Sequence, residues 1–473
     1  MAYGSIESTH APLDTPINRR FQTFLIHLHH MSIMIMPIFF FLLAIFPPMW
    51  PFLLLYLLMP KGELNGKVWF RRREWLRNLS FWKEIAGYFP ISFELMTPLE
   101  PTFSNVSTLN SSNSSYTSNS KILKIKEPWE TVIYKWLLWI FKFNHHLIKL
   151  IFGIISWNKP FPPMPHLNTK YLERTGPNYI FGYHPHGVLA TGVSIGFTNN
   201  IVFPYPMIKC FVTTLATQFT IPFYRDYLLA LGVTSVIKSN LKSLLKMGAS
   251  IVIVIGGAQE SLLARPGGNS LVLNKRKGFI KLALEENCLL VPVYAFGENS
   301  VYDVFYTGEE GRDNNSNVNS KINFKRNSSV ASNDSDVTLN EELDKNIGEE
   351  YSDCELELLA NLNSKNKNNL LPRIRQALLY FQHNLKSITG FTLPIIISRG
   401  IFNYDFGFLP HRRPVVVLFG KPIKVYRLSK GEITQQEIDY WHQKYINGVW
   451  QVWKEGEKRG YVGNLEQKLK IVE

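Results

Sequence analysis

The sequence predicts an α/β domain, a mixed sheet flanked by helices, which follows an N-terminal membrane-embedded helical hairpin. Two observations lead to this prediction: short apolar runs bounded by Gly, Pro or polar residues, and one long uncharged segment near the start of the chain. Short apolar runs of this kind suit strands that are buried on both faces. The clearest runs are Tyr179 to Tyr183, Ile251 to Ile255, Leu289 to Tyr294 and Val415 to Phe419.

Helices are expected to pack around these strands. One is predicted over Gly278 to Asn287, directly before the third strand. Near the C-terminus, Ile438, Trp441, Tyr445 and Val449 recur at helical spacing and predict an amphipathic helix. Packing of this apolar face against the sheet is the favoured interpretation, and membrane contact is the alternative.

Residues 31–59 contain no charged side chain, and an apolar run of about 20 residues or more indicates a membrane segment. We expect it to be retained, because a cleaved signal would start nearer the terminus and end in small residues. Pro47, Pro48 and Pro51 would break one straight helix. Basic residues flank both ends, so the positive-inside tendency places both flanks in the cytosol and favours a re-entrant hairpin. A buried core segment of a soluble protein is the alternative.

The amino-acid composition divides the rest of the chain into flexible tracts and parts of the α/β domain. Two tracts rich in Asn and Ser are expected to be flexible, because they bury too little apolar surface to offset the entropy of ordering. The predicted organisation is a cytosolic tail at 1–30, the membrane hairpin at 31–59, a juxtamembrane segment at 60–104, a flexible insertion at 105–120, the first part of the α/β domain at 121–304, a disordered insertion at 305–370 and the C-terminal part of the domain at 371–473.

The net charge of +14 on 473 residues suggests an anionic partner, such as nucleic acid, phospholipid headgroups or a phosphorylated cofactor. We expect no nucleic-acid partner, because the sequence has no zinc-finger spacing, zipper repeat or RNA-binding signature. Cys210, Cys288 and Cys354 lie far apart and predict neither a disulfide nor a metal site. A cytosolic face fits the soluble part best.

His184-Pro185-His186-Gly187 directly follows the first predicted strand. In parallel α/β sheets, ligands bind at the carboxyl ends of strands, so these two imidazoles occupy a catalytic position. Histidine is also the natural general base near neutral pH. A turn whose histidines have no catalytic role is the alternative, and the clustering of two rings at this position disfavours it.

The second predicted strand ends in Gly256-Gly257, followed by Ala258-Gln259-Glu260-Ser261. Small residues let the backbone approach a ligand closely, and amides at a helix start could bind an oxyanion or a phosphate. Glu260 could orient a histidine. A simple connection between a strand and a helix is the alternative.

A cluster of cations follows shortly after. Lys275, Arg276 and Lys277 precede Gly278 and could hold the phosphates of a cofactor such as coenzyme A. A solvated charge run is the alternative. Further candidate contacts for phosphate or a headgroup are Arg399, Arg412, Arg413 and Lys421.

Together these stretches resemble the diacylglycerol acyltransferase type 2 family, which also includes monoacylglycerol and wax-alcohol acyltransferases. The resemblance covers most of the chain outside the extreme N-terminus and the polar insertions. The matching segments are Tyr88-Phe89-Pro90, FGYHPHG at 181–187, IPFYRDYLLALG at 221–232, GGAQESL at 256–262, NKRKGFIKLAL at 274–284, VPVYAFGEN at 291–299, RGIFNYDFGFLP at 399–410 and GKPI at 420–423.

The resemblance implies transfer of a fatty acyl group from acyl-coenzyme A to diacylglycerol, with acyl-coenzyme A as co-substrate and no permanently bound cofactor or metal. It implies a membrane enzyme of the endoplasmic reticulum and of lipid droplets, with its catalytic domain facing the cytosol. Monoacylglycerol and long-chain alcohols are alternative acceptors. A non-catalytic lipid-droplet protein and a lipid hydrolase are alternatives of other classes. Oligomeric state is open, with a homo-oligomer as one option.

More distantly, the order of motifs is similar to that of the glycerolphosphate acyltransferases and implies a glycerolphosphate-acyltransferase-like mixed sheet. Those enzymes carry the pattern H-x-x-x-x-D. Here Leu189 and Thr191 stand where the aspartate would follow His184 or His186. The orienting carboxylate is therefore expected elsewhere, with Glu260 as the first candidate and Glu298 and Asp226 as weaker ones.

The expected chemistry is direct transfer without an acyl-enzyme, because the sequence shows no Cys paired with a His. His186, or as the less favoured choice His184, would be the general base. Gly187, Gly256 and Gly257 would supply amides for the oxyanion. The residues expected to contact the acceptor lipid are Tyr88, Phe89 and Pro90, typical of the yeast branch that the chain resembles most, and Phe52, Leu53 and Leu55, which match a loose lipid-binding pattern.

Overall fold

A computed structural model describes residues 15–59, 62–105, 172–261, 263–304, 396–401, 407–428, 431–462 and 468–472. The chain divides into two units, one formed by Met1–Asp303 with Ile397–Glu473 and the other by Val304–Ile396. The second unit lies almost wholly outside the described residues. Nearly all of the predicted insertion at 105–120 and all of the one at 305–370 also lie outside them, so both stay predictions.

The N-terminal apolar segment forms two helices joined by a 3₁₀ turn. These are α1 (Ile17–Ala44, 28 residues), the turn Pro47–Met49, and α2 (Trp50–Leu58, 9 residues). The predicted break at Pro47 and Pro48 is confirmed, because α1 has ended before the two prolines. The helix α1 begins at Ile17, so it includes Arg19 and Arg20 of the predicted cytosolic tail, and the membrane bounds at 31–59 stay a prediction.

Among the described residues, α1 is the one helix that is long and apolar enough to cross a membrane. Its 28 residues span about 42 Å, more than a hydrocarbon core of about 30 Å, whereas α2 spans only about 13 Å. A contiguous exposed apolar surface of this kind marks a membrane or partner contact, so the two helices fit membrane association. The exposed side chains include Phe39, Phe41, Leu42, Phe46, Trp50, Phe52, Leu54, Leu55, Leu57 and Leu58.

Tyr56 joins α2 to the α/β domain through a polar contact. Its hydroxyl donates to the Asp226 carboxylate at 2.6 Å and accepts from the Phe223 amide at 2.7 Å. The Arg225 guanidinium donates to the Tyr56 carbonyl at 2.9 Å and lies 4.3 Å from the centre of its ring. Arg71 also pairs with Asp226. The second apolar helix is therefore docked on the domain.

We expect Tyr56→Phe to lower the free energy of unfolding by about 1–3 kcal/mol, because the Phe223 amide and the Asp226 carboxylate lose a partner in a half-buried place. Thermal unfolding in detergent micelles measures the change. Tyr440→Phe is the matched control, because the Tyr440 side chain is 44% exposed on the surface. Equal melting temperatures for both variants would contradict the docking role of the Tyr56 hydroxyl.

The helices that follow, numbered among the described elements, are short apart from the last. They are α3 (Val68–Arg71), α4 (Glu74–Arg77), α5 (Phe81–Tyr88), α6 (Thr191–Gly196), α7 (Tyr224–Leu231), α8 (Lys238–Lys246), α9 (Gly257–Ser261), α10 (Gly278–Glu286) and α11 (Gln435–Lys458). Two further 3₁₀ turns are Ala216–Thr220 and Glu298–Ser300.

The described strands are numbered in chain order in the same way. They are β1 (Ile91–Leu95), β2 (Phe103–Asn105), β3 (Leu172–Arg174), β4 (Tyr179–His184), β5 (Cys210–Thr214), β6 (Val233–Ser235), β7 (Ser250–Val254), β8 (Ser270–Val272), β9 (Leu289–Phe296), β10 (Asp303–Val304), β11 (Ile396–Ile397), β12 (Val415–Phe419), β13 (Ile423–Lys424) and β14 (Lys470–Val472).

A central eight-stranded sheet has the order β1-β12-β9-β4-β7-β5-β6, with β13 paired to the amino end of β9. The strands β9, β4, β7, β5 and β6 are parallel. β12 is antiparallel to β9, and β1 is parallel to β12. The carboxyl ends of the five parallel strands therefore share one edge with the amino ends of β1 and β12. β8 with β14 and β2 with β3 form smaller sheets.

The two faces of the sheet can be read from β4, because successive side chains of a strand point to opposite faces. Phe181 and Tyr183 face α6, where the Phe197 ring lies 6.1 and 6.4 Å from theirs. Gly182 and His184 face α11, where the Tyr445 hydroxyl contacts both residues. The sheet is thus covered by helices on both faces, and the mixed α/β architecture is confirmed.

The four predicted strands are confirmed as β4, β7, β9 and β12, with β12 matching its predicted bounds. The predicted helix at 278–287 is confirmed as α10. The predicted C-terminal helix is α11, and its Trp441, Tyr445 and Val449 are buried in the same core as β9. Packing against the sheet, rather than membrane contact, is therefore the correct interpretation of that apolar face.

Candidate functional site

Four segments meet at the edge where the parallel strands end. β4 leads into the His-Pro-His-Gly loop, β7 into Gly256-Gly257, and β9 into Gly297-Glu298. Arg413 lies just before the amino end of the antiparallel β12. The structure thus brings both motifs singled out from the sequence to one edge, the usual ligand position in such sheets.

His184 is fully buried on the α11 face. Its Nε2 lies 3.1 Å from the Tyr445 hydroxyl, and that hydroxyl donates to the Gly182 carbonyl at 3.0 Å. Burial lowers the pKa of the His184 imidazole to about 3. The ring is enclosed by the core on that face of the sheet.

His186 is half-buried, and its ring is held by the loop itself. Its Nδ1 lies 2.9 Å from the Gly187 carbonyl oxygen, which can only accept a hydrogen bond. Nδ1 is therefore the protonated nitrogen, and Nε2 carries the lone pair. Burial lowers the pKa of this imidazole, and the hydrogen bond to Gly187 opposes that shift. The imidazole is therefore neutral near pH 7, with Nδ1 as its protonated nitrogen.

Glu260 holds the main chain of the loop. Its buried carboxylate accepts from the His186 amide at 2.5 Å and from the Val272 amide at 2.7 Å. The sequence suggested that this side chain could orient a histidine ring, but its contact is with the backbone of His186. Burial raises the pKa of Glu260 to about 7, and the hydrogen bonds from the two amides oppose the shift.

Glu298 supports the other end of the same loop. Its carboxylate accepts from the Thr191 amide at 2.6 Å, the Gly192 amide at 2.9 Å and the Tyr183 hydroxyl at 2.8 Å. Burial raises the pKa of Glu298 to about 7, against these hydrogen bonds. Gly187 has a φ of +59°, and a Cβ there would lie 2.7 Å from Glu298 Cγ. Glycine is therefore required where the loop turns over this side chain.

Asp226, the remaining carboxylate candidate, does not lie at the loop. It contacts Tyr56, Arg71 and Arg225 at the docked end of α2. Its role in the described structure is to hold that helix, so Glu260 and Glu298 are the two carboxylates that contact the His-Pro-His-Gly loop or the helix after it.

The two glycines after β7 differ in their surroundings. A Cβ on Gly256 would lie 2.2 Å from the Glu260 carboxylate, so that glycine allows the carboxylate to reach the loop. Gly257 has a φ of +61°, and the position of its missing Cβ has nothing within 4 Å. The Gly257 backbone begins α9 and is open to the approach of a ligand atom.

The basic segment lies beside α9. Arg276 donates to the Gln259 side chain at 3.1 Å, and Lys277 pairs with Asp439 of α11 at 2.8 Å. Gly278 begins α10. These cations are placed near the Gly-Gly turn, and both already have partners within the protein.

A cavity of about 390 Å³ opens beside the histidine loop. It lies at the same sheet edge, between β9, the loop before β8 and the end of α11. Its lining includes Pro185, Asn299, Ser300, Arg413, Trp453 and Tyr461. Because Pro185 directly precedes His186, the cavity adjoins the candidate base.

The lipid-contact candidates fall into two groups. Phe52 and Leu55 are exposed on α2, whereas Leu53 is buried. Tyr88 and Phe89 are buried, and the Tyr88 hydroxyl donates to the Pro410 carbonyl at 2.6 Å. Exposed Pro90, together with Ile91, Phe93, Ile201 and Val202, lines an open apolar hollow of about 370 Å³. The observed contacts of Tyr88 are internal, and acceptor binding by these six residues stays a prediction.

Two neighbours of the loop were not singled out as site residues from the sequence. Tyr445 was identified only as part of a helical face, yet its hydroxyl contacts His184. Tyr183 was part of a strand, yet its hydroxyl contacts Glu298. No local pattern marks either contact, because each partner lies far away along the chain. The alternation of side chains along β4 is the one signal in the sequence that places Tyr183 and His184 on opposite faces of the sheet.

Comparison with known proteins gives concordant matches. The model of the diacylglycerol acyltransferase family matches residues 143–327 and 366–471. The chain is 35% identical to diacylglycerol O-acyltransferase 1 of Eremothecium gossypii, over 98% of this chain and 80% of that protein. It is 33% identical to diacylglycerol O-acyltransferase 1 of Saccharomyces cerevisiae, over 97% and 88%. It is 30% identical to diacylglycerol O-acyltransferase 2A of Umbelopsis ramanniana, over 98% of this chain and 94% of that protein. No solved structure matches the chain significantly.

Proposed function

The chain belongs to the diacylglycerol acyltransferase family, and on that premise we propose that it transfers a fatty acyl group from acyl-coenzyme A to 1,2-diacylglycerol, forming triacylglycerol. The relatives named above support this acceptor by their names. Monoacylglycerol and long-chain alcohols are the alternative acceptors, since the family resemblance includes enzymes for both.

The observation that supports the chemistry best is the protonation pattern of His186. With Nδ1 protonated against the Gly187 carbonyl, Nε2 is free to accept the proton of the acceptor hydroxyl. The hydroxyl oxygen attacks the thioester carbonyl, and a tetrahedral oxyanion forms. The carbon–sulfur bond then breaks, and the coenzyme A thiolate takes the proton from the imidazolium. No acyl-enzyme is required.

The surrounding groups position this base. Glu260 and Glu298 fix the two ends of the loop through main-chain amides. Amides near Gly187, Gly256 and Gly257 would stabilise the oxyanion, an effect of about 3 kcal/mol per good donor in acyl transfer enzymes. Lys275, Arg276 and Lys277 would bind phosphate groups of coenzyme A. Gly278 would let the backbone approach these phosphate groups.

We place the protein in the endoplasmic reticulum membrane and on lipid droplets, with its catalytic domain on the cytosolic side. The exposed apolar surface of α1 and α2 supports a membrane position. Diacylglycerol and triacylglycerol partition into the bilayer core, so an acceptor would enter the site laterally. The order of strand, histidine loop, Gly-rich turn and Lys-x-Gly helix supports the proposal of a glycerolphosphate-acyltransferase-like fold.

The pH dependence of turnover tests the base. His186 must be deprotonated to act, and its pKa lies below the usual 6.5, so we expect its own protonation to lower kcat only below about pH 6.5. Initial rates at saturating substrates measure this profile. An acid limb centred near pH 7 would report protonation of the positioning carboxylates Glu260 or Glu298, and the absence of any acid limb below pH 6.5 would contradict the assignment to His186.

Product analysis tests the substrate assignment. Purified protein is incubated with labelled oleoyl-coenzyme A and, separately, diacylglycerol, monoacylglycerol and a long-chain alcohol, and the products are separated by thin-layer chromatography. We expect labelled triacylglycerol as the main product. Wax ester or diacylglycerol as the main product would select the alternative acceptor. Absence of transfer would favour a non-catalytic lipid-droplet protein, and labelling by a serine-directed probe would favour a hydrolase.

A further inference from the structure

We propose that the cavity beside Pro185 binds the nucleotide end of coenzyme A, its adenine ring and 3′-phosphate. This inference rests on the proposed use of acyl-coenzyme A and adds a location for its nucleotide.

The polar lining argues for a nucleotide rather than a lipid. Arg413 is exposed at the cavity, and its side chain makes no ion pair or hydrogen bond with another described residue. By contrast, Lys277 and Arg276 have protein partners. An exposed guanidinium is suited to a phosphate group, which it can bind through two parallel N–H donors.

Asn299 supplies a second, independent observation. Its side-chain amide nitrogen donates to the Gly268 carbonyl at 2.7 Å, which fixes its orientation. The side-chain oxygen is then buried, and it has no hydrogen-bond partner among the described residues. A buried acceptor without a partner costs free energy unless a ligand or water donates to it. The exocyclic amino group of adenine is a donor of the required kind.

An aromatic group borders the same cavity. The Phe296 ring lies 5.7 Å from that of Trp453 and 5.6 Å from that of Tyr461. Purine bases gain stability against aromatic side chains in protein sites. The volume of about 390 Å³ accommodates a purine ring with its sugar, and it is small for a lipid with two acyl chains.

The cavity borders the end of the C-terminal helix α11. Trp453 belongs to α11, which covers the face of the sheet that His184 occupies. The membrane helix α1 packs against α5 and α7, and α5 packs on α6 over the opposite face. The thioester of a coenzyme A bound there would reach His186 past Pro185.

Arg413→Gln tests the proposal. We expect the KM for oleoyl-coenzyme A to rise about tenfold with kcat unchanged, which corresponds to about 1.4 kcal/mol of binding. The inhibition constant of adenosine 3′,5′-bisphosphate, the isolated nucleotide end, should rise by a similar factor. Arg413→Lys keeps the charge and should retain most of the affinity. Lys424→Gln is the matched control, because Lys424 is exposed and pairs with Leu289 at the opposite end of β9.

Equal inhibition constants in wild-type and Arg413→Gln protein would overturn the proposal, as would a raised KM for diacylglycerol in place of acyl-coenzyme A. Equilibrium dialysis with labelled adenosine 3′,5′-bisphosphate separates this outcome from a failure of the proposed function. Binding that Arg413→Gln weakens and Lys424→Gln does not would support the nucleotide site even if another acceptor were used.

Discussion

His186→Ala is expected to lower kcat for triacylglycerol synthesis by about 10²- to 10⁴-fold, the usual contribution of a general base. The variant removes the Nε2 lone pair, while the Glu260 contact to the main-chain amide of residue 186 can persist. The KM for acyl-coenzyme A should change little, because this ring acts on the acceptor hydroxyl. Initial rates with labelled oleoyl-coenzyme A in membranes measure both parameters.

His184→Gln is the informative contrast to this variant. His184 is fully buried against Tyr445, so its replacement should lower the melting temperature while the folded fraction retains more turnover than His186→Ala. Unaltered triacylglycerol synthesis by His186→Ala, or selective loss of kcat in His184→Gln at unchanged stability, would reject His186 as the base and favour His184.

Glu298→Ala is expected to have the largest effect on stability. It leaves three donors without a partner, the Thr191 and Gly192 amides and the Tyr183 hydroxyl. Each unpaired buried donor costs about 1 kcal/mol or more, so the free energy of unfolding should fall by about 3 kcal/mol or more. Because these amides begin the helix after the histidine loop, kcat should fall as well, with little change in the KM for acyl-coenzyme A.

The variant Glu298→Gln distinguishes a positioning role of Glu298 from a purely structural one. Glutamine keeps the volume and one acceptor oxygen, so the protein should fold, but its amino group faces donors and should displace the loop. We expect a loss of kcat in folded protein, measured below its melting temperature. Glu94→Gln is the control, because Glu94 forms a partly exposed pair with Arg459, and such pairs contribute little. Full kcat in Glu298→Gln would contradict the positioning role.

The strands that correspond to a single apolar run could be predicted from the sequence. β12 consists of large apolar residues, β4 combines large apolar residues with Gly182 and His184, and both strands are buried on both faces, so their apolar character identifies them. β5 reads CFVTT and β6 reads VTS, and neither stands out from loop sequence. Their place beside β7 depends on long-range pairing, which no local pattern encodes.

The location of the site could be predicted from the sequence, but the contacts of its side chains could be predicted less well. Both motifs lie at strand ends, and parallel strands bring such ends together. Which atom a carboxylate contacts is a different question: Glu260 accepts from the backbone amide of His186 rather than from its ring. That choice depends on Gly256, whose missing side chain leaves room for the carboxylate. Only the folded chain shows it.

Direct acyl transfer assisted by His186 is tested most directly by a single-turnover labelling experiment with purified protein. Labelled oleoyl-coenzyme A is added first without an acceptor, and the protein is then denatured and counted. Direct transfer predicts no label on the protein, and labelled triacylglycerol when diacylglycerol is present. Stoichiometric label that survives denaturation, or no triacylglycerol once diacylglycerol is added, would contradict it.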